Sequence, residues 1–127
     1  DIIAAENIKH TNILLKNFKI QNFLISMNQH NEYHKSDYLI QELKKGKNIA
    51  IVSNAGTPVI NDPGYFLIKK CHFFNIKTIP LPGACAAITA LIASGIPANK
   101  FCYEGFLPYK KKERCNLLSS LKKEERT

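Results

Sequence analysis

Tryptophan is absent from the 127 residues, methionine occurs once, and the two arginines are outnumbered by sixteen lysines. The four cysteines, at positions 71, 85, 102 and 115, include no Cys-x-x-Cys pair, which argues against a structural zinc site or a dithiol redox centre. His30 and His34 lie one helical turn apart, but no third ligand accompanies them, so no metal site is assigned. The six glycines, 46, 56, 64, 83, 95 and 105, all stand alone. That excludes a Gly-x-Gly-x-x-Gly dinucleotide loop and a phosphate-cradling P-loop within these residues, and with them a nicotinamide dehydrogenase or an NTPase of those types. It also disfavours the commoner Rossmann-like methyltransferase, unless its glycine loop lies outside these residues. The longest apolar run, Ala84 to Ala93 with Thr89 inside it, is too short to span a bilayer. Nothing resembles a signal peptide, so a cytoplasmic setting is expected.

What is present fits one modest core: 45% of residues are hydrophobic and 22% charged. A net charge of +8 favours a polyanionic partner such as RNA. Abundant lysine, isoleucine and asparagine are equally the signature of an A+T-rich genome, so the local cluster Lys110-Lys111-Lys112-Glu113-Arg114 is more informative than the total. Asp1 to Glu6 begin as though already entering a strand, and Ser119 to Thr127 stop in a charged helical pattern without a stop signal. Both ends are those expected of a segment of a longer protein.

Strands are expected at Ile2 to Ala5, Asn22 to Met27, Asn48 to Val52, Ile76 to Ile79 and Phe101 to Leu107. Helices are expected at Ile8 to Phe18, Tyr33 to Lys45, Pro63 to Phe74 and Ala84 to Ser94, with a basic helix from Lys110. Gly46 suits the end of the second helix, and Asp62 with Pro63 suits the N-cap and first turn of the third. The alternation gives an α/β fold with a mostly parallel sheet flanked by helices. Gly95 to Lys100 make a junction, dividing the chain into a domain at 1–98 and the start of a second α/β domain at 99–127.

The run from Ile49 to Gly64 is the most telling segment. Ile49 to Val52 suit a strand buried on both faces, and Ser53 to Gly64 are mostly small, polar or turn-forming. A second strand-to-loop crossing follows at Ile76 to Gly83, leading into a helix of small residues. Two such crossings point to a ligand crevice at the carboxyl ends of the strands.

Five stretches in order carry a resemblance: Ala4-Ala5-Glu6 with His10-Thr11, Ser53 to Pro58, Asn61 to Tyr65, Leu81 to Leu91 and Phe101 to Pro108. Together they resemble the ribosomal RNA small subunit methyltransferase I family of the tetrapyrrole methylase superfamily, over nearly the whole chain. The resemblance implies a tetrapyrrole-methylase-like fold in which residues 1–98 form the cofactor-binding domain without its opening strand. It implies S-adenosylmethionine as cofactor, the small ribosomal subunit with its 16S RNA as partner, a cytidine ribose 2′-oxygen as methyl acceptor, and a homodimer. Other enzymes of the superfamily act on porphyrin precursors or on protein, and a truncated, inactive remnant is a further alternative.

A nucleoside cofactor needs backbone donors and acceptors at close range. Ser53, Asn54, Ala55, Gly56, Thr57 and Pro58 offer one such edge, and Pro82, Gly83, Ala84, Cys85 and Ala86 a second. Removal of the acceptor proton needs a base or polarising group, for which Glu6, His10 and Glu104 are candidates. Each also has an ordinary role available: Glu6 as a helix cap, His10 as a surface histidine, Glu104 as a hydrogen-bond acceptor. Lys110, Lys111, Lys112 and Arg114 suit RNA phosphates, with Tyr103, Phe106 and Tyr109 as stacking surfaces, although a solvated basic helix face has the same composition. Three positions depart from the family pattern. Asn54 stands where aspartate is usual, Asn7-Ile8-Lys9 replaces Asp-Thr-Arg, and Ala84 replaces proline.

Overall fold

The computed structural model describes all of residues 1–127, which fall into two compact units, Asp1–Ala84 and Cys85–Thr127. The first unit contains a parallel sheet of three strands, β1 (Ile2–Ala5), β2 (Phe23–Ser26) and β3 (Ile49–Val52), in the order β2-β1-β3. Its helices are α1 (Ile8–Asn17), α2 (Glu32–Lys44) and α3 (Tyr65–Phe73). Register is set from the central strand: Ile2 lies opposite both Phe23 and Ile49, and Ala5 opposite both Ser26 and Val52.

Alternation along β1 sends its side chains to two cores. Ile2 and Ala4 pack with Ile25, Met27, Leu39, Ile40, Leu67 and Cys71, which places α2 and α3 on that face. Ile3 and Ala5 pack with Leu15 of α1 on the other face. All four residues of β1 are buried, as a central strand covered on both sides requires. Burying a leucine such as Leu39 fully contributes about 1.5–3 kcal/mol relative to leaving it in water.

Local chemistry explains the helix starts. Asn7 caps α1, its side-chain oxygen accepting from the N–H groups of Lys9 at 3.0 Å and His10 at 3.3 Å. Asparagine therefore does the capping that an aspartate at this position would do. Ahead of α2, Asn28 and Asn31 exchange side-chain-to-backbone hydrogen bonds at 2.8 and 3.2 Å, a reciprocal arrangement that orders the turn leading into the helix. Gly46, at φ +86°, ends α2 by donating its N–H to the Leu43 carbonyl.

Glu42 is buried on α2, and both its oxygens are taken by lysines, Lys45 at 2.6 Å and Lys47. The hydrogen bond from Lys45, then that from Lys47, holds its carboxyl below the usual carboxylate range, against burial that pushes it up. A lowered carboxylate contributes stability that is present above the unfolded value and lost as pH falls through the folded one. Glu42→Gln is therefore expected to lower the urea midpoint at neutral pH, with the gap to the parent closing below about pH 4. An equal gap at both pH values would show that the charge is not what stabilises this corner.

Three expected elements differ. The third helix starts at Tyr65 rather than Pro63, and Asp62 does not cap it, because Gly64 at φ +132° and ψ −17° breaks the chain's path just before the helix. Ile76 to Ile79 form no ladder. Ile76 packs against the core of the first unit, but the segment has no hydrogen-bonded strand beside it, and an unpaired strand cannot satisfy its backbone. Phe101 to Leu107 are likewise not a strand.

The second unit holds α4 (Ala86–Ala93), α5 (Lys111–Ser120) and a short 3₁₀ turn at Leu121–Lys123. Neither α4 nor α5 has a buried residue, and Phe106 and Tyr109 lie open to solvent. So short a unit lacks the surface-to-volume advantage that a core needs. Backbone bonds from Cys102 N–H to the Thr127 carbonyl at 2.7 Å and from Thr127 N–H to the Lys100 carbonyl at 3.3 Å tie it together. No helix is long and apolar enough to cross a membrane.

Candidate functional site

After β1 the chain passes to α1 on one face of the sheet; after β3 it passes to α3 on the opposite face. The loops leaving these adjacent strands therefore head for opposite faces from the carboxyl edge of the sheet, the place where open α/β sheets take ligands. Glu6 and Ser53 are the first residues beyond the two strands. The backbone N–H of Glu6 donates to the Val52 carbonyl at 3.1 Å, and its carboxylate accepts the N–H of Asn54 at 2.9 Å.

The loop from Ser53 to Gly64 is tightly specified. Ser53 hydroxyl donates to the Ala55 carbonyl at 3.1 Å, and Ile60 N–H closes a turn onto the Thr57 carbonyl at 3.3 Å. Gly56 sits at φ +69°, Val59 at +75° and Asn61 at +60°. A left-handed valine is costly, because its branched Cβ crowds the backbone, so the surrounding contacts must hold it there. Asn61 adds a buried side-chain nitrogen with no hydrogen-bond partner, a cost of about 1–3 kcal/mol. Asp62 faces the same region: burial raises its carboxyl, the charge of Glu6 raises it further, and the Ser53 hydroxyl partly offsets both.

Thr57 hydroxyl donates to the Ala84 carbonyl at 3.1 Å. That bond brings together, within the first unit, the two loops that the sequence marks as cofactor edges. A Cβ added at Gly56 would meet only the Ala84 carbonyl, at 3.8 Å. Asn54, Ala55, Gly56, Pro82, Gly83 and Ala84 are exposed, while Ser53, Thr57 and Pro58 are half-buried. The N–H groups of Ala55 and Gly56 have no protein acceptor. Cys85, in extended conformation, and Ala86, the first residue of α4, belong to the second unit.

The three candidate proton acceptors have separate surroundings. Glu6 is engaged with Asn54. His10 is exposed in the first turn of α1. Glu104, in the second unit, accepts from the Cys102 thiol at 3.3 Å, and that bond, with burial, pushes the thiol pKa up. Among the basic residues, Arg114 turns its guanidinium back onto the carbonyls of Pro108 at 3.1 Å and Tyr109 at 2.9 Å, and Lys110 pairs with Glu113 at 3.2 Å. Lys111 and Lys112 are exposed and lack an acidic partner.

Sequence reasoning missed Glu32 and Gln29. Glu32 accepts the N–H of Gly64 at 2.7 Å, and the Gln29 side chain donates to the Asn61 carbonyl at 3.3 Å. The paired asparagines at 28 and 31 were the available signal, since they mark an ordered turn rather than a slack loop.

No protein-family model matches the chain. Over all 127 residues it is 73% identical to a protein of Buchnera aphidicola subsp. Acyrthosiphon pisum named "Ribosomal RNA small subunit methyltransferase I". Proteins of the same name from Escherichia coli O157:H7 and a Synechocystis strain are 52% and 49% identical over the same 127 residues. The match takes in 100% of this chain but 45%, 44% and 46% of those three proteins, so the chain spans less than half the length of the curated relatives it matches.

Proposed function

We propose that this chain, by homology along its whole length a member of the ribosomal RNA small subunit methyltransferase I family, contributes the S-adenosylmethionine site of an RNA 2′-O-methyltransferase. The observation that carries this reading is the Thr57 to Ala84 hydrogen bond. It joins two backbone edges, one of them the loop that leaves the carboxyl end of β3. The donors and acceptors suit a nucleoside with an amino-acid tail: unpartnered amides at Ala55 and Gly56, the carbonyls of Pro82 and Gly83, and no side chain at Gly56 to fill the space.

When bound, S-adenosylmethionine supplies an electrophilic methyl group to the acceptor oxygen. The task of this chain is to orient that group and keep the approach in line. Cys85 and Ala86 continue the second edge along the chain. The hydroxyl proton of the ribose is accepted by His10 or Glu104; Glu6, the third candidate, already accepts the Asn54 N–H. Lys111 and Lys112, with Lys110 and Arg114 beside them, meet RNA phosphates as exposed charges. The complete protein acts on the small ribosomal subunit in the cytoplasm, on a cytidine of 16S RNA, as a homodimer with two domains.

The test uses the full-length protein, completed to the span of its relatives, with methyl-labelled cofactor and small ribosomal subunits, followed by alkaline digestion. Label is expected in an alkali-resistant dinucleotide, since a methylated 2′-oxygen cannot attack the adjacent phosphate. Cofactor binding without transfer to RNA would move the substrate to a tetrapyrrole or a protein. Absence of binding as well would leave an inactive remnant.

A further inference from the structure

The loop between β3 and α3 is held at its two ends in the same way, by carboxylates from elsewhere in the fold. At its start, Glu6 Oε2 accepts the N–H of Asn54 at 2.9 Å; at its finish, Glu32 Oε2 accepts the N–H of Gly64 at 2.7 Å. Both lengths fall in the range of charge-assisted hydrogen bonds. Neither carboxylate is committed to a salt bridge.

Each glutamate is itself fixed. Glu6 follows the central strand and donates its own N–H to Val52. Glu32 opens α2 behind the reciprocal Asn28 and Asn31 bonds, and its carbonyl accepts the Ser36 hydroxyl at 2.6 Å. Between the two anchors lie left-handed Val59, a conformation a β-branched residue rarely adopts, and the orphaned Asn61 amide nitrogen. A segment with that much local cost keeps one shape only if its ends are over-determined. Two carboxylates on rigid elements supply that constraint.

We propose that Glu6 and Glu32 are a pair of positioning residues that clamp the 53–64 loop in its ligand-ready form, so that Glu6 serves as a hydrogen-bond acceptor and not as the base. The proposal rests on the cofactor reading of that loop. It makes a distinction the fold alone does not: glutamine keeps an acceptor oxygen in nearly the same place, whereas it has no basicity to offer a proton.

The experiment measures amide hydrogen exchange at Asn54 and Gly64 in the ligand-free full-length protein, S-adenosylhomocysteine affinity, and methyl transfer to small subunits. Glu6→Ala is expected to speed exchange at Asn54, and Glu32→Ala at Gly64, each by about tenfold or more, with affinity falling to a similar degree. Exchange at Leu39 should stay as in the parent, showing an intact core. Glu6→Gln and Glu32→Gln should hold all three readouts within about threefold. Unchanged exchange in both alanine variants would overturn the clamp. So would a Glu6→Gln protein with a protected Asn54 amide and transfer lost by about a hundredfold, since that pattern belongs to a general base. A parent protein that fails to bind S-adenosylhomocysteine would overturn the cofactor reading instead, and the exchange rates would still decide the clamp.

Discussion

Gly64→Ala should cost the first unit about 2–4 kcal/mol of folding stability, the sum of a strained backbone and an overfilled contact. Gly64 sits at φ +132°, a conformation that L side chains rarely adopt, and an added Cβ would lie 3.0 Å from Val59 Cγ2 and 3.7 Å from Ile51 Cγ2. Only the Val59 contact is tighter than an ordinary van der Waals distance. Val59 is already left-handed, and Ile51 belongs to β3, packed against the core. Gly46 is the internal control, because it too has a positive φ, +86°, but a Cβ added there would have no atom within 4 Å. Gly46→Ala should therefore cost only the backbone part, about 1 kcal/mol. Urea unfolding of both variants decides the matter, and equal losses would show that the crowding at Gly64 relaxes away.

That contrast also shows which parts of this protein are legible in its sequence. β1, α1, β2, α2 and β3 lie within one or two residues of where periodicity and caps put them, because each is specified locally or by alternation about a central strand. The start of α3 is not legible in that way. Asp62-Pro63 is a good local N-terminus signal, but the path through Val59, Asn61 and Gly64 is set by tertiary contacts, above all from Glu32, whose acceptor role depends on a residue 32 positions away. Ile76 to Ile79 and Phe101 to Leu107 have strand composition and no ladder. Composition states a preference, whereas a strand exists only when a neighbour takes its hydrogen bonds.

The candidate site divides along the same line. The two loops are visible as small-residue runs after apolar segments, and the Thr57 to Ala84 bond joins them. The engagement of Glu6 with Asn54 is not visible, since nothing in the spacing of residues 6 and 54 announces a contact. Nor is the fate of Arg114: within a basic cluster it reads as a phosphate ligand, yet its guanidinium is occupied by the carbonyls of Pro108 and Tyr109.

Gly56→Val is expected to weaken S-adenosylhomocysteine binding by about a hundredfold, or about 2.7 kcal/mol. The protein itself leaves room at this position, for a Cβ would meet only the Ala84 carbonyl at 3.8 Å. Two effects remain. A β-branched residue resists φ +69°, so the turn would swing toward negative φ and carry Ala55 and Thr57 with it, straining the Thr57 to Ala84 bond. The side chain would also occupy the open space that the exposed Gly56 leaves for a ligand. Gly56→Asn separates the two, because asparagine tolerates the left-handed region while still adding a side chain. Ligand at about a hundred times its dissociation constant stabilises the parent by about 2.7 kcal/mol, and the same concentration should stabilise the valine variant by only about 0.4 kcal/mol. If asparagine restores most of that shift, backbone conformation is the requirement at position 56; if it does not, the ligand needs the space itself. An undiminished shift in the valine variant would mean that this loop does not approach the cofactor.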